Sequence, residues 1–160
     1  MTLAIRPAGP GDAGVIFALV CELADYEKLT HAVVATEDMI ASALFGAHPT
    51  AFCDIAEWEG APAGFALWFV NYSTFSGRHG MYLEDLFVRP AYRRRGIGRA
   101  LLKHLARRCV REGWTRLQWS VLDWNTPAIE FYKSLGAELQ DEWRLCRLGG
   151  EALARLGQGA

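Results

Sequence analysis

The chain has 160 residues, about half of them apolar, enough for one domain with a sizeable core. With 17 Lys and Arg against 18 Asp and Glu the formal net charge is −1, which argues against a nucleic-acid coat or a polybasic membrane anchor. The opening "MTLAIRPAGPG" holds no apolar run of signal-peptide length and no segment is long enough to span a membrane, so the expected location is the cytoplasm.

In chain order, "LAIRPA" reads as a first strand. "GDAGVIFALVCELADYEKL" follows as a helix, with Val15, Ile16, Leu19, Val20 and Leu23 at helical spacing. Thr36 is placed to cap "EDMIASALFG", whose first turn carries Glu37 and Asp38 and whose end is Gly46. Two strands come next, "AFCDIAEW" and "GFALWFV", joined by a turn at "EGAPA". A polar loop, "NYSTFSGRHG", leads to the strand "MYLEDLFV". A helix then begins near Gly98, with Ala100, Leu101, Leu105, Ala106, Cys109 and Val110 as its apolar stripe and Gly113 as its stop. "TRLQWSV" is a strand, with Leu117, Trp119 and Val121 on one face. "TPAIEFYKSL" is a short helix with Thr126 as N-cap, Pro127 at its first position and Gly136 beyond its end; a last strand lies within "AELQDEWRLCRL". The order β-α-α-β-β-β-α-β-α-β predicts an α/β chain: a mixed, mostly antiparallel sheet flanked by helices, with at least one parallel crossover.

Cys21, Cys53, Cys109 and Cys146 are scattered singly and read as free thiols in a reducing compartment. His31, His48, His79 and His104 show no ligand spacing, so no metal is expected.

The chemistry concentrates in "RPAYRRRGIGRALL". Arginines at a helix N-terminus oppose the helix dipole, and glycines leave the backbone bare. A Walker loop fails, since no lysine follows Gly98. A dinucleotide fingerprint fails because Leu101 stands where its last glycine belongs. What remains is R-x-x-G-x-G, Arg93 to Gly98: main-chain N–H groups opening a helix beside several cations, suited to a bound diphosphate. A tight turn with solvated arginines is the competing reading of the loop by itself.

"YLEDLFVRPAYRRRGIGRALL" followed by "VLDWNTPAIEFYKSLGA" resembles the GNAT superfamily of acyl-CoA-dependent N-acetyltransferases, across most of the chain. "IRPA", "ELADYEKL", "FGAHP" and "EWRL" narrow the resemblance to the diamine (spermidine/spermine) and thialysine acetyltransferase branch. It implies the GNAT fold with a β-α-β acyl-CoA-binding core, one domain over residues 1–160, acetyl-CoA as co-substrate and a homodimer. It also implies that Leu86, Phe87 and Val88 hold the pantetheine arm. The loop of Arg93, Arg94, Arg95, Gly96, Ile97, Gly98 and Arg99 holds the diphosphate. Asn125, Thr126, Pro127, Ala128 and Tyr132 line the cofactor's other side.

An alkylamine near pKa 10 is mostly protonated at neutral pH, and only the free amine attacks a thioester; the departing thiolate then gains from a proton donor. "YLEDLFV" sets two carboxylates inside an apolar strand, on opposite faces if side chains alternate. By resemblance Glu84 is the general base, through a water, and Asp85 helps bind a cationic acceptor. On sequence alone the two read equally well as carboxylates compensated by nearby arginines. Tyr132 is the general acid by resemblance; without it, a core aromatic with its hydroxyl at the rim is the better reading. Proximity in a ternary complex removes the need for a covalent enzyme intermediate.

Tyr26 and Glu27 match the acceptor-side pair of the diamine enzymes, and Asp141, Glu142 and Trp143 their C-terminal acceptor segment; Gln118, Trp119 and Ser120 border the same pocket. Thr74, Phe75 and Ser76 replace the aspartate and tryptophan of the polyamine enzymes, which favours a small primary amine such as a thialysine- or lysine-like amino acid. The competing classes are a peptide or protein N-acetyltransferase of the same fold and a non-catalytic acyl-CoA-binding module. A nucleic-acid role for the arginines fails, since no basic or aromatic stripe extends them.

Overall fold

Polar–apolar alternation and two tight turns produce the first part of the structure, a computed structural model that describes residues 2–159. Strands β1 (Leu3–Pro7), β2 (Phe52–Trp58), β3 (Ala61–Ser73), β4 (Arg78–Val88) and β5 (Leu117–Gln118) form one sheet in that spatial order. All neighbours run antiparallel except β4 and β5, which are parallel and joined through α3 (Ile97–Glu112). Glu59 and Gly60 both take positive φ (52° and 80°), the two-residue hairpin geometry whose twist matches the flanking strands.

Helix α1 (Ala13–Tyr26) covers one face of the sheet, with α2 (Glu37–Phe45) beside it. Ile16, Leu19 and Leu23 of α1 meet Ile55, Phe65 and Phe87 of the sheet and Leu44 of α2 in one buried cluster. Residues of opposite parity, among them Ala56, Ala66 and Trp68, are buried on the other face. Each large side chain so buried contributes about 1.5–3 kcal/mol. Trp68 is the centrepiece of its face: it stacks on Phe52 (centroids 4.7 Å apart), meets the Trp114 edge at 6.3 Å and lies under the Arg108 guanidinium.

The chain divides into two compact units, one ending at Ser120 and one beginning at Val121. The second contains α4 (Thr126–Lys133) and α5 (Gly150–Gly157), with irregular chain between them.

Several boundaries differ from the sequence reading. Helix α1 starts at Ala13, after a 3-10 turn at Pro10–Asp12, and ends before Lys28, which takes φ 61°. The polar stretch 71–80 is not a loop: Asn71↔Gly80, Tyr72↔His79 and Ser73↔Arg78 continue the ladder, because cross-strand pairing outweighs local polarity, and only a short turn remains. On α3 the buried positions are Ile97, Leu101, Leu102, Leu105 and Cys109, whereas Val110 is 81% exposed and Ala106 also faces solvent. The stripe is rotated toward Ile97 and Leu102, the larger side chains.

β5 is only two residues long, so Trp119 and Val121 fall outside it. Asn125, not Thr126, is the N-cap of α4, which moves Pro127 to the second helical position. No strand forms at 137–148; this irregular segment has no sheet partner, and the regular element of the C-terminal stretch is α5, which the sequence reading missed. Thr36 does cap α2, its Oγ1 accepting from the Met39 amide at 3.3 Å. Gly113 (φ 69°) ends α3, and Gly136 (φ 88°) follows α4.

Candidate active site

The strand expected to carry the chemistry is not regular. In the β3–β4 ladder Leu67 lies opposite Asp85 but Trp68 lies opposite Leu83, so Glu84 is the extra residue of a bulge. Leu67 and Trp68 point to opposite faces, so Leu83 and Asp85 do as well, although they are two apart. The strict alternation that set Glu84 and Asp85 on opposite faces therefore does not hold here. Asp85 and Phe87 take the α1 side, together with Leu67 and Phe65. Glu84 is exposed.

Asp85 is the electrostatically strained group of this region. Burial, reinforced by the charges of Glu84 and Glu27, raises its pKa from 3.8 to about 6. Glu27, at the C-cap of α1, is itself pushed above its ordinary range by burial. Glu27, Glu84 and Asp85 thus form a carboxylate cluster where the end of α1 meets the bulge. The arginine compensation weighed from the sequence is not among the interactions that set the Asp85 pKa. A cationic ligand would relieve this arrangement.

Tyr82, one turn of the pleat before Glu84, stacks on Phe69 at 5.1 Å and shares a hydrogen bond with the Ser120 hydroxyl at 2.8 Å. Gln118 lies opposite Tyr82, and its Oε1 accepts from Asn71 Nδ2 at 3.2 Å. These contacts bring Gln118 and Ser120 onto the β4 surface, with Trp119 half-buried between them in sequence. Tyr82 and Asn71 were not singled out from the sequence. Their signal was available only through the register that aligns them with Gln118.

At the other end of β4, Gly64 lies opposite Val88, and a Cβ there would stand 2.5 Å from the Phe87 carbonyl oxygen and 3.2 Å from the Val88 Cα. Close strand approach therefore fixes the backbone of Phe87 and Val88. After the 3-10 turn Pro90–Tyr92 the chain passes through two left-handed residues, Arg94 (φ 62°) and Gly96 (φ 77°). Nothing lies within 4 Å of a Cβ placed on Gly96, so that side of the loop is open. Ile97 anchors the start of α3 in the core, and Ala100 makes the first helical bond, to the Gly96 carbonyl. The amides of Ile97, Gly98 and Arg99 precede that bond and are donors without helical partners. Arg95 is held over Trp58 and Tyr92, at 5.0 and 6.0 Å, and Arg99 is exposed. Bare backbone donors, an open glycine and adjacent cations fit the diphosphate of acyl-CoA.

In the second unit, Asn125 is buried at the head of α4; Thr126 and Pro127 are exposed and Ala128 is half-buried. Tyr132, one turn on from Ala128, is half-buried, its ring 5.5 Å from Phe131. Asp141 and Trp143 lie in an exposed irregular stretch, with Trp143 77% accessible. Among the described residues no group of three or more His, Cys, Asp or Glu could hold a metal ion, and no helix is long and apolar enough to cross a membrane.

Residues 18–137 match the model of the acetyltransferase (GNAT) family. The chain is 40% identical to the bovine (Bos taurus) thialysine N-epsilon-acetyltransferase over 95% of both chains. It is 36% identical to the L-ornithine N5-acetyltransferase of Arabidopsis thaliana, covering 93% of this chain and 85% of that one. Among solved structures, an integron cassette protein from the mobile metagenome of V. cholerae superposes with a TM-score of 0.83 at 29% identity over 99% of each chain.

Proposed function

The chain belongs to the GNAT acetyltransferase family, and from that premise we propose that it moves the acetyl group of acetyl-CoA onto the side-chain amine of a small amino acid of the ornithine or thialysine type. The observation that carries the acceptor class is the Glu27–Glu84–Asp85 cluster, where burial and like charge hold Asp85 at a pKa of about 6. A compact ammonium group neutralises that cluster; an acidic or neutral acceptor does not.

Acetyl-CoA, when bound, supplies the thioester. Leu86, Phe87 and Val88 hold its pantetheine arm along the end of β4, and the amides of the 94–99 loop, with Arg94, Arg95 and Arg99, hold its diphosphate. Asn125, Thr126, Pro127 and Ala128 complete the cofactor set. Asp85 and Glu27 receive the ammonium. Glu84 removes the proton through a water, as its exposure on the bulge permits. Tyr132 gives a proton to the departing thiolate, a task open to a phenol. Gln118, Trp119 and Ser120 border the acceptor.

The polyamine reading is less well supported. Thr74, Phe75 and Ser76, which stand where the polyamine enzymes carry an aspartate and a tryptophan, are exposed at the β3–β4 turn and bring no negative charge to a long polycation. We further propose that residues 1–160 act as one domain, in keeping with a family match that runs across position 120. The four free thiols suit a reducing cytoplasm. Trp143, Leu145 and Leu148, all exposed, give a second copy of the chain an apolar surface for a homodimer.

The test is a thiol-release assay with acetyl-CoA across L-ornithine, thialysine, L-lysine, spermidine and short peptides. The reading predicts that L-ornithine or thialysine gives the highest kcat/KM. Faster turnover of spermidine or of a peptide would contradict it.

A further inference from the structure

Arg93 opens the R-x-x-G-x-G motif, and the simplest expectation puts its guanidinium on the cofactor diphosphate. Its contacts lie elsewhere. The Nε donates to the Val88 carbonyl at 3.0 Å, and the guanidinium carbon sits 4.7 Å from the centre of the Tyr26 ring and 5.6 Å from that of Phe87. Four residues earlier, Arg89 reaches the same helix: its Nη2 is 2.7 Å from Glu22 Oε1, its Nε donates to both Glu22 oxygens at 3.0 Å, and its Nη1 donates to the Pro62 carbonyl at 2.9 Å.

Glu22 and Tyr26 are four apart on α1 and so share one face of the helix. Arg89 and Arg93 are four apart across the 3-10 turn Pro90–Tyr92. Two arginines at the end of β4 therefore grip two successive turns of α1. The second grip closes on the residue before Glu27, where α1 ends and Lys28 takes its left-handed conformation. A guanidinium over an aromatic face is attracted by the ring quadrupole, and a stacked arginine is not replaceable by lysine without loss.

We propose that Arg93 is a positioning residue for the amine acceptor: it holds the Tyr26–Glu27 end of α1 against the end of β4, and so sets the distance between Glu27 and Asp85, rather than serving as a ligand of the diphosphate. The first motif arginine thereby belongs to the acceptor half of the reaction, while the 94–99 loop keeps the cofactor half. The inference rests on the amine-acetyltransferase reading above.

Steady-state kinetics with acetyl-CoA and L-ornithine or thialysine, together with CoA titration by calorimetry, test it on Arg93→Met, Arg93→Lys, Tyr26→Leu and the Arg93→Met/Tyr26→Leu double variant. Arg93→Met, which keeps the stem but loses cation and donor, is expected to raise the amine KM about five-fold or more, with the CoA Kd changed less than about two-fold. Arg93→Lys is expected to recover part of that loss. The double variant should be less than additive in amine KM, since the two side chains share one contact. A CoA Kd weakened as much as or more than the amine KM, or additive effects of the two substitutions, would overturn the proposal. Wild-type protein that releases thiol with neither amine would overturn the underlying reading as well. A wild type that turns over while Arg93→Met leaves the amine KM unmoved would sink this inference alone.

Discussion

Two aspartates of the sheet, Asp54 on β2 and Asp85 on β4, show how differently one residue type can be used. Asp54 is 1% exposed; its Oδ2 accepts from the Trp68 indole N–H at 2.8 Å and its Oδ1 is 3.3 Å from His104 Nε2. A donor and a basic ring from β3 and α3 close around it. Asp85 instead faces carboxylates, and its proton is held up to a pH of about 6. The first is tied to β3 by the indole hydrogen bond and stands beside the His104 ring of α3, although its Oδ1 accepts no hydrogen bond among the described residues. The second is left uncompensated until something positive arrives, which is the electrostatic signature of a binding site.

The contrast can be pressed from both sides. The largest effect is expected at Glu84, the bulge residue beside Asp85. Glu84→Gln should lower kcat about 10²- to 10⁴-fold in the thiol-release assay while CoA titration stays close to wild type. Tyr132→Phe should lower kcat by a smaller factor, about 10- to 100-fold, with the loss greatest for the poorest leaving thiol in a series of acyl donors.

On the structural side, Asp54→Ala leaves the buried Trp68 N–H without its acceptor. It should cost about 2–4 kcal/mol in urea unfolding. Asp85→Asn should act in the opposite direction. Because the folded-state pKa of Asp85 is raised, its contribution favours folding at low pH and is lost as pH rises from 3.8 through about 6. Removing the charge should therefore stabilise the protein by about 1–3 kcal/mol at pH 7 to 8, with the gain vanishing below about pH 4. Equal destabilisation by both substitutions would erase the distinction between the two aspartates. The smallest change is expected at Gly64→Ala, whose Cβ would press on the Phe87 carbonyl. It should raise the acetyl-CoA KM several-fold, leaving the amine KM little altered.

Much of this was readable before any coordinates. The R-x-x-G-x-G loop, the Thr36 cap, the Gly113 stop and the first four strands follow from local chemistry: glycine at positive φ, a hydroxyl ahead of a helix, period-two apolarity. The bulge at Glu84 was not readable, because it is a property of the β3–β4 register and "YLEDLFV" alternates as any strand would. Nor was the partnering of Asp54, whose tryptophan and histidine lie 14 and 50 positions away along the chain. The C-terminal strand was misread because "EWRLCRL" has the composition of a strand but no ladder to join, and composition does not supply a partner. Among the site residues, the influence of Glu27 and Glu84 on Asp85 was not legible, since plain alternation sets the two β4 carboxylates on opposite faces, and the contacts of Arg93 with α1 are visible only in three dimensions.

The central claim is that the amine is received by an ionised Asp85. It is tested most directly by the pH dependence of kcat/KM for L-ornithine or thialysine in the wild type and in Asp85→Asn. Because the ammonium form binds and its proton passes to Glu84, ionisation of the amine contributes the same background pH dependence in both proteins. The account predicts that the wild type alone gains an additional slope of about one below pH ~6, where Asp85 takes up its proton. Parallel profiles through that region, with the same amine KM in both proteins, would contradict it.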